Sequence, residues 1–368
     1  MRTGIGPRPQ ATDPVKGLRD GVRRCTEEDL PDLHAFYQRV FGPDCRQLDP
    51  GRAAWLFWDN PCRPAEGPDL WIRRQEGRIA GIEGAIPFDL EVGGEECRAS
   101  WGVDLRVEPE SRGRGLGPEL SDAFRASCRI ACVLGLSGGG YRHAMRRGYV
   151  DLGTMPEYVS LMDSSLLRHG TLPWPLRMGA RPMVGAVTGL TAKARRRRSA
   201  PVELVPIEAF DERADAIWRE ASPSYEVVGR RDAARLKWRF DLAPHRLSYR
   251  RFYLCRDGQS VAYVVLRPAE VRARQVLRIV DYLAAPPDIP ALFAATAGYV
   301  RECGAAALFC STLNPHAGPG LRSLGFFRIP RRYEVIRFVS YADPNDPLRD
   351  AVSRRESWFI TAADSDFD

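Results

Sequence analysis

The stretch "ESRGRGLGPELSDAF", residues 110–124, sets three glycines and two arginines side by side ahead of a run with helical spacing. Glycine has no Cβ, so Gly113, Gly115 and Gly117 let the chain turn sharply and let a ligand come close to the backbone. The amides of Arg112 to Gly117 can then converge on an anion, and the positive end of the following helix adds to the attraction. A pyrophosphate suits such a cradle, with Arg112 and Arg114 adding charge from the loop. Pro118 falls in the first helical turn, where its missing N–H costs nothing. The spacing is G-x-G-x-G and the flanking strands are not βαβ units, which disfavours a dinucleotide fold. An ordinary glycine-rich β-to-α turn would need the same glycines, so the surrounding elements decide.

Those elements read as mixed α/β. "TEEDLPDLHAFYQRVF" opens on a Thr cap and keeps apolar residues at helical spacing. From "DLWIRR" to "VDLRVEP" the pattern alternates, with tight turns at "EGR" and "VGGEE". After the glycine turn come a helix at "PELSDAFRASCRIA", a strand "CVLGLS", a helix across "GYRHAMRRG" and a strand near "EYVSLM".

Internal comparison then suggests a duplication. "AWLFWDNP" and "KWRFDLAP" share W-x-F-x-x-x-P through Trp55, Phe57, Pro61 and Trp238, Phe240, Pro244. "VDLRVEP" and "VDYLAAP" share a pattern around Asp104 and Asp281, and "RRGY" and "SLGF" around Gly148 and Gly325, at nearly constant separation. The expected division is a flexible tail at 1–20, a first unit at 21–163, a basic Pro/Gly-containing connector at 164–201, a second unit at 202–342 and a C-terminal tail at 343–368. Opposite the glycine turn the second unit reads "AAPPDIPALF"; its prolines remove donors, so no comparable cradle can form there.

A strand ending in "LRVEPESRGRGLG" and followed by a helix resembles the acyl-coenzyme A motif of the GNAT acyltransferase superfamily, whose R/Q-x-x-G-x-G/A falls on Arg112, Gly115 and Gly117. The later "AMRRGY" resembles that family's closing helix. The resemblance covers both halves in element order and is to tandem-GNAT proteins. It implies two units, each a central, mostly antiparallel twisted sheet flanked by helices, with an intact coenzyme loop only in the first. It implies acetyl-CoA or another acyl-CoA as co-substrate, held by Leu105, Val107, Arg112, Gly113, Arg114, Gly115, Leu116 and Gly117. The second half is then a wall of the acceptor site.

Acyl transfer to an amine needs a base, an oxyanion donor and a proton for the departing thiolate. In the family a carboxylate on the strand before the loop often serves as base, which falls on Asp104, expected on the face opposite Val103, Leu105 and Val107. Its counterpart Asp281 in the half without a cradle favours a structural role for both. Glu108 reads as solvated. The family's proton-donating tyrosine falls on Ala144, a departure that puts this step in doubt; Tyr141, one turn earlier, can replace it or merely pack. His143 reads as structural, and the W-x-F-x-x-x-P aromatics as core or wall residues.

Composition narrows the setting. The 368 residues, 44% of them hydrophobic, suffice for two cores. Much of the net charge of +7 sits in "ARRRRSA", which without interleaved aromatics reads as a solvated linker rather than a nucleic-acid contact. Nine scattered cysteines without a CxxC pair suggest reduced thiols in a cytoplasm, with no metal site. No run is long enough for a membrane span, and "AADSDFD" reads as a disordered end. Three functions remain open: an N-acetyltransferase acting on a small-molecule amine, a non-catalytic acyl-CoA-binding or interaction protein, and a FemX-like aminoacyl transferase.

Overall fold

The computed structural model describes residues 21–163, 201–330 and 335–366. The expected tail at 1–20 and nearly all of the basic connector lie outside them.

Helix α1 (Leu30–Phe41) follows a turn in which Thr26 and Asp29 cap one another, and it buries Leu33, Phe36 and Tyr37 at helical spacing. Helix α2 (Pro50–Ala53) starts at Asp49, whose side chain accepts from the Gly51 amide, and runs into a π turn at Ala54–Trp58. That wider turn brings the consecutive residues Trp55, Leu56 and Phe57 into the core. Strands β1 (Val22–Arg24), β2 (Leu70–Gln75), β3 (Arg78–Val92) and β4 (Glu95–Val107) pair antiparallel in succession. Helix α3 (Leu116–Ala126), β5 (Ile130–Leu134), α4 (Gly138–Arg146), β6 (Val150–Thr154) and β7 (Glu157–Leu161) complete the first half.

The second half repeats this order with β8 (Val202–Ile207), α5 (Arg213–Ala221), β9 (Val227–Gly229), α6 (Ala233–Leu236) and β10 (Arg250–Arg256). Then come β11 (Gln259–Val271), β12 (Arg274–Ala284), α7 (Ile289–Glu302), β13 (Ala307–Leu313), α8 (Ala317–Ser323), β14 (Phe327–Arg328) and β15 (Arg337–Ala342). Helix α6 is capped by Asp232, as α2 is by Asp49, and also ends in a π turn, Lys237–Asp241. The paired tryptophans of the two π turns meet. The Trp55 indole donates to the Trp238 carbonyl at 2.7 Å, the Trp238 indole donates to the Trp55 carbonyl at 2.9 Å, and the rings stack with centroids 5.1 Å apart. These aromatics are therefore core residues at the seam between the halves.

Two separate sheets were the expectation, but the described strands form one sixteen-stranded sheet. The closing strand of each half has crossed over: β7 pairs with β13 and β14, whereas β15 lies between β5 and β6. Strand β9 extends the far end of β3. Helices α1 and α2 cover the face carrying Ile82, Ile86, Trp101 and Val103; α3 and α4 cover the other face.

The expected C-terminal tail is also part of this sheet. After α9 (Arg349–Val352), strand β16 (Trp358–Thr361) lies between β9 and β13, with Trp358, Phe359 and Ile360 each 1% exposed. Its apolar residues outweigh the acidic ending, because Asp364 caps the turn after it and pairs with buried Arg231.

One ionisable chain lies inside the first half. Glu83 on β3 is 4% exposed and accepts from Ser121 Oγ on α3 at 2.9 Å; Ser121 Oγ lies 2.9 Å from His143 Nε2 on α4. Burial pushes the Glu83 carboxyl from 4.5 up to about 8, with the Ser121 bond and Arg147 and Arg125 opposing it. Burial, aided by Arg125 and Arg146, pulls His143 down.

Two expectations follow. Trp358→Ala removes the largest side chain of β16 and should cost about 3–5 kcal/mol in denaturant unfolding. Native Glu83 keeps its proton at pH values where the unfolded carboxyl has lost it, so its burial lowers stability progressively as pH rises from 4.5 to about 8. Glu83→Gln removes this dependence: its melting temperature should exceed that of the parent at pH 8, and the gap should close as pH falls toward 4.5.

Candidate functional site

Strands β4 and β5 run parallel and pair only at Ala99 with Ile130, Ser100 with Ala131 and Trp101 with Cys132. Beyond that point β5 continues to Leu134 against β15, while β4 continues to Val107 with no partner on this side, so a notch opens between them. Gly102 stands where the strands part. A Cβ there would lie 2.8 Å from the Phe124 ring, so the ring of α3 presses directly on the backbone.

The far side of β4 carries a bulge. Ile82 pairs with Arg106 and Gly84 with Val103, leaving Asp104 and Leu105 opposite Glu83 alone. Asp104 takes a left-handed φ of 55°, and the alternation of side chains slips there. This corrects the expected facing: Val103 and Asp104 both lie toward α2, whereas Leu105 and Val107 lie toward α3. Regular alternation cannot survive an inserted residue.

The Asp104 side chain is nearly buried. Its Oδ1 accepts from Gln47 Nε2 at 2.8 Å, and its Oδ2 lies 3.4 Å from both terminal nitrogens of Arg52. Arg52 also holds Asp366 at 2.7 Å, and Arg46 binds the same carboxylate at 2.6 Å. The sequence reading missed Gln47, Arg52 and Asp366. The Asp49-Pro50 start of a short helix was a local signal for Arg52, but nothing local marks the return of residue 366.

At the open end of the notch, a 3₁₀ turn at Pro109–Ser111 leads into the glycine loop. Arg112 Nε donates to the Val107 carbonyl at 3.2 Å, closing the loop on the strand end. Gly113 and Gly115 adopt φ of 78° and 89°, which residues with a Cβ rarely do, and a Cβ on either would meet only open space. The requirement is thus conformational at both. The amides of Leu116 and Gly117, in the first turn of α3, have no intrahelical acceptor. They border a cavity of about 370 Å³ lined by Val107, Ser111 to Gly113 and Gly115 to Pro118. The donor set suits an anion. Of the eight expected coenzyme residues, Leu105 packs on the α3 face behind this cavity and Arg114 is exposed outside its lining.

Glu108, expected to be solvated, is 3% exposed; Arg39 binds it at 2.8 Å and Arg78 lies 3.4 Å away. The Tyr141 hydroxyl donates to Asp151 Oδ2 at 2.9 Å, and the Arg337 guanidinium stands 4.5 Å from its ring centre and pairs with Asp151. The bond to Asp151 raises the Tyr141 hydroxyl above its ordinary range, so it stays protonated at neutral pH. Asp104 and Tyr141 lie on opposite faces of the sheet, and the structure does not bring them together. Asp281 is buried in the second half, bound by Arg231 at 3.2 Å, Tyr263 at 2.7 Å and Thr361 at 2.8 Å.

Among the described residues no cluster of three or more His, Cys, Asp or Glu could hold a metal ion, and no helix is long and apolar enough to cross a membrane. The nine cysteines form no disulfide.

No curated protein matches the chain in sequence. Solved structures do match in fold. A GCN5-related N-acetyltransferase from Anabaena variabilis aligns with a TM-score of 0.55 and 13% identity over 87% of this chain and 71% of its own. A probable N-acyltransferase from Enterococcus faecalis gives 0.58 and 13% over 87% and 72%. Saccharomyces cerevisiae N-myristoyltransferase with bound myristoyl-CoA gives 0.53 and 12% over 96% and 89%. At such identities the likeness concerns the fold. The family described as the acetyltransferase (GNAT) domain matches residues 21–144, the segment that holds the bulge, the notch and the glycine turn. These residues are a GNAT acetyltransferase domain.

Proposed function

We propose that this protein is an acyl-CoA-dependent N-acyltransferase, foremost an N-acetyltransferase moving an acetyl group from acetyl-CoA to a small-molecule amine by direct attack in a ternary complex. The observation that carries the reading is the glycine turn, whose open amides face a cavity at the mouth of a split in the sheet. The pyrophosphate of the coenzyme suits the amides of Gly113 to Gly117, where the end of α3 supplies a positive field, while the Arg112 amide is spent on the Pro109 carbonyl. Its pantetheine arm suits the edge of β4 near Leu105, which β5 leaves without a strand partner. Fold neighbours crystallised with myristoyl-CoA support an acyl-CoA donor and leave the acyl length open.

In this reading Asp104 takes the proton of the attacking amine, with Gln47 and Arg52 orienting its carboxylate. Tyr141, kept protonated, is the candidate donor to the departing thiolate. We read the second half as a degenerate tandem copy. It repeats the element order and the capped π turn but enters α7 through a 3₁₀ turn with Pro286 and Pro287 and carries Pro290 in the first turn of the helix, with no glycines, an arrangement that cannot cradle a phosphate.

A second reading, a non-catalytic acyl-CoA binder, has its own support. Both Asp104 oxygens are already engaged, the Tyr141 hydroxyl is bonded to Asp151, and the family's tyrosine position is Ala144.

Calorimetry should find one acetyl-CoA per chain. Gly115→Pro should abolish that binding, while Arg114→Ala should cost only about 1 kcal/mol, the scale of one exposed charge-assisted contact. Two equivalent sites, or equal binding by the two variants, contradict the assignment.

Turnover, followed as thiol release over an amine panel, separates the two readings. Asp104→Asn should lower it roughly 10²-fold or more while keeping coenzyme affinity. Asp281→Asn should leave the rate and instead cost a few kcal/mol of stability, since it weakens the pairing of buried Arg231. Coenzyme binding with no turnover on any amine favours the binder.

A further inference from the structure

The ladder between β4 and β5 ends at Trp101 and Cys132, so backbone hydrogen bonds cannot fix the width of the notch beyond it. The two sides are instead held by the helices packed over them. Helix α3 lies mainly on β2, β3 and β4 and also reaches β5; α4 follows β5, and its Ala144 belongs to the same buried cluster as Ala131 of β5 and Val339 of β15. Three ties cross between these helices. Asp122 pairs with Arg147, Arg125 Nη1 donates to the Arg147 carbonyl at 2.8 Å, and Ser121 Oγ meets His143 Nε2 at 2.9 Å. The first two reach Arg147, which follows the last turn of α4. The third joins the middle of α3 to α4 one turn before Arg147.

This third tie has an anchor that the others lack. Ser121 Oγ bridges Glu83 Oε2 and His143 Nε2, and the His143 tautomer with its hydrogen on Nε2 donates to Ser121 Oγ while the hydroxyl donates to Glu83. Glu83 itself sits in β3 directly across from the bulge at Asp104 and Leu105. The chain thus runs from β3, one strand behind the β4 side of the notch, through α3 to α4. A carboxyl so deeply buried is costly to keep in a core, and filling that space with apolar atoms would be simpler. Its bond to Ser121 spans the sheet-to-helix interface at the level where the backbone pattern is broken.

We propose that Glu83, Ser121 and His143 form a clamp across the β4/β5 notch that sets its width for the pantetheine arm of the coenzyme. All three are positioning residues: they act on the helices that border the arm, with no part in the chemical step. The inference rests on the acyl-CoA reading above.

The test is the dissociation constant of coenzyme A for the full chain at pH 7, with melting temperature measured in parallel. Ser121→Ala and His143→Ala should each weaken binding about tenfold, the scale of one lost hydrogen bond. The double variant should bind no worse than the weaker single one, because both changes break the same tie. Glu83→Gln keeps the acceptor and should stay within twofold of the parent, whereas Glu83→Leu should match Ser121→Ala. His143→Gln, which retains a donor at the half-buried end, should recover most of the loss seen with His143→Ala. A role confined to stability would lower melting temperatures and leave the dissociation constants unchanged, and that result overturns the clamp. So do additive losses in the double variant. If the parent binds no coenzyme A, the acyl-CoA reading itself fails, and the clamp with it.

Discussion

Two parallel strands that pair over three residues and then part govern the geometry of this protein. A sheet interior left without ladder partners carries unmet N–H and C=O groups, and such groups need a partner from elsewhere. The parting leaves β4 beyond Gly102 without a strand partner on this edge, with the Val107 carbonyl met by Arg112 and the glycine turn and the α3 N-terminus at the end of the same edge. Donors from strand, turn and helix therefore face one opening. The split persists because both sides are occupied elsewhere: Phe124 presses on Gly102, and β5 spends its other edge on β15.

That last contact ties the site to the second half. Strand β15 comes from the far end of the chain, as β7 of the first half goes to β13 in exchange. With Trp55 and Trp238 bonding each other's carbonyls and β16 inserted between β9 and β13, the halves share one sheet and one seam. The stability of the split is thus not a local property of residues 21–144. Asp366 extends the same dependence to electrostatics, since it draws Arg52 closer than Asp104 does, at 2.7 against 3.4 Å. Asp104 therefore has a guanidinium neighbour it does not fully own, which leaves its carboxylate less neutralised than a bidentate pair would.

The two aspartates that the internal repeat equates have different surroundings. Asp281 is enclosed by Arg231, Tyr263 and Thr361, while Asp104 stands on a bulge in left-handed backbone next to an open edge. Strain of this kind persists only where surrounding structure enforces it, and it concentrates where a side chain must be aimed.

The glycine turn was legible in the sequence because its requirement is local: positive φ at Gly113 and Gly115, followed by a helix start. Element order, the repeated W-x-F-x-x-x-P aromatics and the prolines of "AAPPDIPALF" were legible for the same reason, since prolines and hydrophobic spacing act on their own neighbours; the capped π turns that carry those aromatics were not. What the tertiary structure alone decided involves partners far apart in the chain. The bulge put Asp104 on the same face as Val103 while leaving it opposite Leu105 and Val107, because one inserted residue shifts the alternation without changing composition. Arg39 and Arg78 buried Glu108, and an ending that reads as acidic became an inner strand once β9 and β13 offered it two edges. Local pattern sets which element forms; which edges and charges then find each other is settled only when the whole sheet closes around them.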